Sequence, residues 1–276
     1  MSILRGRTKR GYALGSGSAK GLAHIGVLKV LEDADIRPSV IAGSSIGAIV
    51  GALSASGLSA RQIEKMATEL DLKDLMTLAD LRNAGPAFIS GDSVERFLRS
   101  NLPATFEDLA ISFACISSDL RTGERVVHRE GDLVSAIRAS LSIPVIFSPV
   151  EFEGRLLIDG GVTEPVPVDT ARDLGATRIV AVTLYSGGGG YEIDPGDGRT
   201  LLENILARSE RAHIALASMD LMQARIAEKS LERADVVIRP AINKYSQLSW
   251  MNGEELIARG EAAAREQLDA ILALKR

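Results

Sequence analysis

Cysteine is nearly absent. Cys115 is the one cysteine in 276 residues, which excludes an internal disulfide framework and a cysteine-rich zinc site. Histidine is almost as scarce. With only His24, His128 and His213, a histidine-built metal centre is not expected either. Aromatic residues are 4% of the chain, thin for a platform that stacks bases or sugars. Neither sign of charge dominates: the net charge is −4 and the sequence pI about 5.6, which argues against a general nucleic-acid binder. What the chain does have is an ordinary globular balance, 46% hydrophobic and 25% charged, enough to bury a sizeable core without staples.

A secretory signal is also missing. Arg5, Arg7, Lys9 and Arg10 make a basic start, but no apolar stretch follows. Residues 1–10 read as a solvated basic tail that can touch an anionic membrane surface. The expected location is the cytoplasm, at most peripheral to the inner face of the membrane. One segment is long enough to cross a bilayer, since no charged residue occurs in residues 38–60. Six serines interrupt it, its first part is strand-like, and a Gly-Ser-Ser turn follows. It reads as strand, turn and helix rather than as a span.

Short apolar strands alternate with helical stretches, which predicts an α/β fold with a largely parallel central sheet. Strands are expected at 12–14, 40–42, 112–117, 156–158, 179–184 and 236–239. Helices are expected at 21–33, 47–56, 60–70, 92–100, 132–140, 168–174, 200–229 and 253–274. Ser59 and Gln62 form a capping-box pattern ahead of the third helix. Residues 72–103 read as an insertion. Residues 186–198, with four glycines in a row, read as a flexible loop. No stretch divides two cores, so residues 1–276 are expected to form a single domain.

Chemistry is concentrated in three places. Gly43-Ser44-Ser45-Ile46-Gly47 matches Gly-x-Ser-x-Gly between a strand and a helix, the context that makes this motif meaningful. Small residues let the tight turn close, and Ser45 is then held up with its hydroxyl exposed at a helix N-terminus. The loop Gly15-Ser16-Gly17-Ser18-Ala19-Lys20-Gly21 follows the first strand and can aim several backbone N–H groups at one point, for a phosphate or a developing oxyanion. It fits neither the P-loop nor the dinucleotide pattern. Asp159-Gly160-Gly161 follows an apolar strand that is half of a hairpin turning at Gly154, and Asp159 is placed to face Ser45 as a base.

A serine hydroxyl needs a proton acceptor. The order Ser45, Asp159, His213 suits a triad, but His213 falls inside a long helical stretch and the elbow comes after only the second strand. A dyad with Asp159 as direct base is the simpler solution, because partial desolvation raises a carboxylate's proton affinity.

These residues resemble the patatin-like phospholipase family, in particular its compact bacterial members. The glycine-rich loop running into residues 19–28, the elbow 43–47 and Asp159-Gly160-Gly161 match in order. Residues 139–144, 147–149 and 235–240 are also similar to the family. The resemblance implies a three-layer α/β/α fold and a Ser-Asp dyad, with Ser45 as nucleophile and Asp159 as base. It also implies an oxyanion hole at Ser16, Gly17 and Ser18, and a basic Lys20 that braces the loop or meets an anionic head group. The implied substrate is a lipid or phospholipid acyl ester cleaved through an acyl-enzyme, with no metal or organic cofactor, no nucleic acid, and at most peripheral membrane contact. Ser16 and Ser18 depart from the family's usual glycines, and Glu164 from its usual asparagine. The alternatives are a catalytically weak lipid-binding or regulatory protein on the same scaffold, and a nucleotide-phosphate binder using the loop.

Overall fold

The computed structural model describes residues 8–69, 91–185, 210–245 and 252–275. The glycine-rich stretch at 186–198 and the first part of the expected 72–103 insertion lie outside them. Eight strands form one sheet: β1 (Arg10–Leu14), β2 (Val40–Ser44), β3 (Ser112–Asp119), β4 (Arg125–His128), β5 (Val150–Phe152), β6 (Arg155–Asp159), β7 (Arg178–Val182) and β8 (Val236–Ile238). The order is β5-β6-β3-β2-β1-β7-β8, with β4 beside β3. The five strands from β3 to β8 along this path run parallel, and β4, β5 and β6 join antiparallel.

Side chains alternate across the strands, so each face of the sheet builds its own core. Tyr12, Leu14, Ile41, Phe113 and Cys115 pack beneath α1 (Ala23–Asp33), α2 (Ile46–Ala55), α3 (Ala60–Glu69), α5 (Leu133–Ser140) and α8 (Gly253–Glu266). α4 (Asp92–Asn101) adds Val94 and Leu98 to this core. Ala13, Ala42, Ile179 and Ala181 pack on the other face, against α6 (Val168–Asp173) and the C-terminal part of α7 (Glu210–Leu231). The result is the expected three-layer α/β/α sandwich. α9 (Leu268–Ala273) closes the chain.

The elements differ from the sequence expectations in two places. The single helix expected at 253–274 is two, because Gln267 leaves helical geometry, and Ile271 and Leu274 beyond it are buried. Strand β4 was not expected. Arg125 is exposed and Val126 and Val127 are only half buried, so the strand carries little apolar signal. α7 runs from Glu210, residues 200–209 lying outside the described part. Elsewhere local chemistry acts as read. The Ser59 N–H donates to Gln62 Oε1 at 2.9 Å and the Gln62 N–H to Ser59 Oγ at 3.3 Å, a closed capping box. The uncharged run at 38–60 is β2, a turn and α2, and among the described residues no helix is long and apolar enough to cross a membrane.

Pairing along β3 sets up the site. Its residues Cys115–Ser118 are taken on one edge by β4, so β2 and β6 must share the other. β2 stops with Ser44 opposite Ile116, and β6 takes over with Asp159 opposite Ser117. The end of β6 is thus brought up against the end of β2. Gly160 makes this approach feasible: a Cβ there would lie 2.2 Å from the Ile116 carbonyl oxygen and 2.9 Å from Ser44 Oγ.

Candidate active site

Ser45 is the residue between β2 and α2. Its backbone has φ 53 and ψ −124, a strained conformation for a residue with a side chain, costing on the order of 1–3 kcal/mol. The strain is held by its surroundings. The Ser45 N–H donates to the buried Ser140 Oγ at 3.0 Å, and the Ala48 N–H donates to the Ser45 carbonyl at 2.7 Å. Gly47 lets α2 lie directly on β1, since a Cβ there would sit 2.1 Å from the Leu14 carbonyl oxygen. The Ser45 hydroxyl does not cap α2, so it remains available at the helix N-terminus.

Asp159 ends β6 and is buried. Its N–H donates to the Ser142 carbonyl at 2.9 Å, and its carbonyl accepts from Ser118 Oγ at 2.9 Å. The Gly161 N–H donates to Oδ1 at 2.7 Å. Burial raises the carboxyl from its ordinary value of 3.8 to about 6, against the opposing pull of the Ser45 hydroxyl and the Gly161 amide. Despite that pull, Oδ2 has no hydrogen bond of good geometry, an unmet acceptor facing the site.

The loop after β1 completes one wall. The Gly15 N–H donates to the Val182 carbonyl at 3.0 Å and the Ser16 N–H to the Pro165 carbonyl at 2.8 Å. Ser16 lines the pocket, but its amide is already spent. This corrects the expectation that all three loop amides are free: of Ser16, Gly17 and Ser18, the last two have unengaged N–H groups among the described residues. Gly17 has φ 154 and Ser18 φ 51. Ser18 thus adopts the left-handed backbone that serine tolerates poorly, and its buried hydroxyl has no partner.

Two further groups anchor this loop. His24 is fully buried, which lowers its pKa to about 4 and keeps it neutral, so Nε2 donates to the Gly15 carbonyl at 2.8 Å. The Ser16 hydroxyl lies 2.6 Å from the Tyr185 hydroxyl, which bonds in turn to Gln223 on α7. The serine that departs from the family pattern therefore gains a partner that glycine would lack. Glu164 is explained similarly. It is buried, accepts from the Thr170 amide at 3.1 Å, from the Thr170 hydroxyl and from Arg125 Nη1 at 3.0 Å, and so ties α6 to β4.

Ser16, Gly17, Ser18, Ser45 and Asp159 line one pocket together with Ile143 and, from α7, Leu216, Met219, Asp220 and Gln223. The sequence reading did not foresee the α7 residues. Lys20 is not in the lining. Burial lowers its pKa, while its charge interacts with Asp220, whose own carboxyl burial raises to about 6. That supports the bracing role for Lys20 over contact with a head group. Of the other histidines, the His128 Nε2 lies 2.7 Å from Ser117 Oγ, and His213 is described only as a backbone position on α7.

An elbow serine and a buried aspartate thus meet at the carboxyl ends of a parallel sheet, where α/β proteins place their ligands. The family model for patatin-like phospholipase matches residues 12–172, more than half the chain, and the chain belongs to that family. An NTE family protein of Mycobacterium tuberculosis, described as uncharacterized, is 35% identical over 173 residues, covering 62% of this chain and 48% of the relative. A patatin-like phospholipase domain-containing protein of Caenorhabditis elegans is 32% identical over 276 residues, 93% of this chain and 20% of that one. The chain therefore spans half or less of these relatives. VipD from Legionella pneumophila shares the fold, with a TM-score of 0.60 at 13% identity over 95% of this chain and 66% of VipD.

Proposed function

We propose that the protein hydrolyses acyl esters of lipids, phospholipids among them, through an acyl-enzyme on a Ser45–Asp159 dyad. The observation that carries this is the convergence on one pocket of a strained, uncapped serine and a buried carboxylate with an unmet oxygen. Ser45 Oγ attacks the ester carbonyl carbon while its proton passes to Asp159. The developing oxyanion is met by the free Gly17 and Ser18 amides. Collapse expels the alcohol, which takes the proton from Asp159, and leaves the acyl group on Ser45. Water, deprotonated by Asp159, then releases the fatty acid and restores the serine. Ile143, Leu216 and Met219 are the apolar side chains lining the pocket, against which the acyl chain would pack once the pocket opens. No step calls for a metal or an organic cofactor.

Asp159 must be ionised to act as the base, so its position near pH 6 sets the acid limb of the rate. kcat/KM on a short-chain ester is expected to fall about tenfold per pH unit below pH 6 and to level off above it. Asp220 titrates in the same range, beside Lys20, so the assignment needs a control. The limb should persist in Asp220→Asn, and its loss there would transfer the ionisation to Asp220. Ser45→Ala should abolish turnover over a broad ester panel. Turnover that survives in Ser45→Ala refutes the dyad, and lipid co-purifying with a wild-type protein that turns over no ester would favour a binding role instead.

A further inference from the structure

We infer that α7 docks the protein on an anionic lipid surface, with the mouth of the site turned toward that surface. This rests on the lipid-ester reading above and names the surface from which the substrate would come. At 100° per residue, the inward residues Leu216, Met219, Gln223, Asp220 and Ala227 fall within about 100° of the helix circumference. They line the pocket or enter the core. Ile214, Leu221, Met222, Ile226 and the cations Arg211, Arg225 and Lys229 fall within an arc of about 140° facing away from it.

That outer face is apolar where a water-facing helix should not be. Among the described residues six large apolar side chains are exposed, and Ile214, Leu221, Met222 and Ile226 are four of them. Leu221 is 51% exposed and Met222 58%, and each is one or two residues from the pocket-lining Asp220 and Gln223. The charge on this face has one sign. Arg211, Arg225 and Lys229 are exposed and form no ion pair among the described residues. Of the acidic residues on α7 whose side chains are described, Glu228 is held by Arg239 at 2.9 Å and Asp220 is buried against Lys20. Apolar side chains flanked by unpaired cations are the composition of a helix that lies in a headgroup layer. The pocket beneath offers about 20 Å³, room for one water, and α7 supplies four of its ten lining residues, so the docked helix would lie directly over the site.

Flotation of the full chain with vesicles tests this, comparing equimolar phosphatidylglycerol and phosphatidylcholine with phosphatidylcholine alone. The wild type should float with the anionic vesicles, and less so as salt is raised. Leu221→Ser with Met222→Ser should lower vesicle affinity about tenfold or more, as should Arg225→Glu with Lys229→Glu. Leu120→Ser with Leu272→Ser, exposed apolar residues elsewhere, should bind as the wild type does. Hydrolysis of a soluble short-chain ester should be unchanged in all three variants, showing that the site is intact. Vesicle binding equal in the Leu221/Met222 variant and the wild type overturns the inference. So does a wild-type dimer in sedimentation velocity that this variant dissociates without any change in vesicle binding, since the face would then belong to a second copy. Vesicle binding that follows these variants in a protein without esterase turnover would remove the hydrolase reading and leave the docking surface standing.

Discussion

Asp159→Asn is expected to lower kcat/KM about a thousandfold or more while leaving the protein at least as stable at neutral pH. Asparagine keeps the shape and can still accept the Gly161 amide, but it cannot take a proton from Ser45. The stability half follows from the carboxyl's raised pKa. In the folded chain it is about 6, above its ordinary 3.8. The folded state therefore favours the protonated form. The stability this group contributes is complete below about pH 4 and is lost as the pH rises through about 6. At pH 7 the wild type carries an ionised carboxylate in a buried site, a cost on the order of a few kcal/mol that asparagine removes. Thermal melts of the two proteins at pH 7, read beside ester turnover, separate this from plain structural damage. Wild-type turnover in the variant would contradict the account. Turnover lost together with a clearly lower melting temperature would make Asp159 a structural residue.

The second large effect is on the scaffold. Gly47→Ala should destabilise the protein by at least about 3 kcal/mol and remove activity as well. The added methyl would lie 2.1 Å from the Leu14 carbonyl oxygen and 2.8 Å from that of Gly15. Both are backbone atoms at the root of the loop that carries Gly17 and Ser18, so relief requires α2 to lift off β1. Gly57→Ala is the matched control. Its φ of 99 makes alanine strained, but nothing lies within 4 Å of the new Cβ, so a cost of about 1 kcal/mol is expected. Urea midpoints would show it. A Gly47 variant no less stable than the Gly57 variant would mean that the close approach of α2 is not what holds the elbow.

The parts of the site that could be read from the sequence are those whose chemistry is local. Gly-x-Ser-x-Gly after a strand announces a tight turn wherever it folds, and Asp-Gly-Gly at the end of an apolar strand announces close backbone approach. The turn closes locally, through the Ala48 N–H to the Ser45 carbonyl, although Ser45 itself is buried rather than exposed. Gly160 does permit a close backbone approach, but the atoms that approach, the Ile116 carbonyl and Ser44 Oγ, are remote in the chain and are not announced by the motif. The amide of Ser16 is different. Its engagement depends on Pro165, which is remote in the chain, and no pattern around Ser16 reports it. Asp220 and Gln223 are hidden for the same reason. They sit on a helix whose polar residues look like a solvated face until Lys20 and Tyr185 are brought beneath them. The fold class was legible because short continuous apolar runs, the mark of strands buried on both faces, alternate with helical stretches along the chain. β4 escaped because it is short and mixed, an exposed Arg125 and a buried His128 around two half-buried valines, so it presents no apolar run.

Covalent capture decides whether Ser45 is the activated nucleophile. The folded protein would be treated with a fluorophosphonate, weighed intact, and digested to map the adduct. The expected result is one phosphonyl group per chain, located on Ser45, formed more slowly below pH 6 and absent from Ser45→Ala. An adduct that maps to another residue, or a Ser45→Ala protein that labels as readily as the wild type, would contradict it.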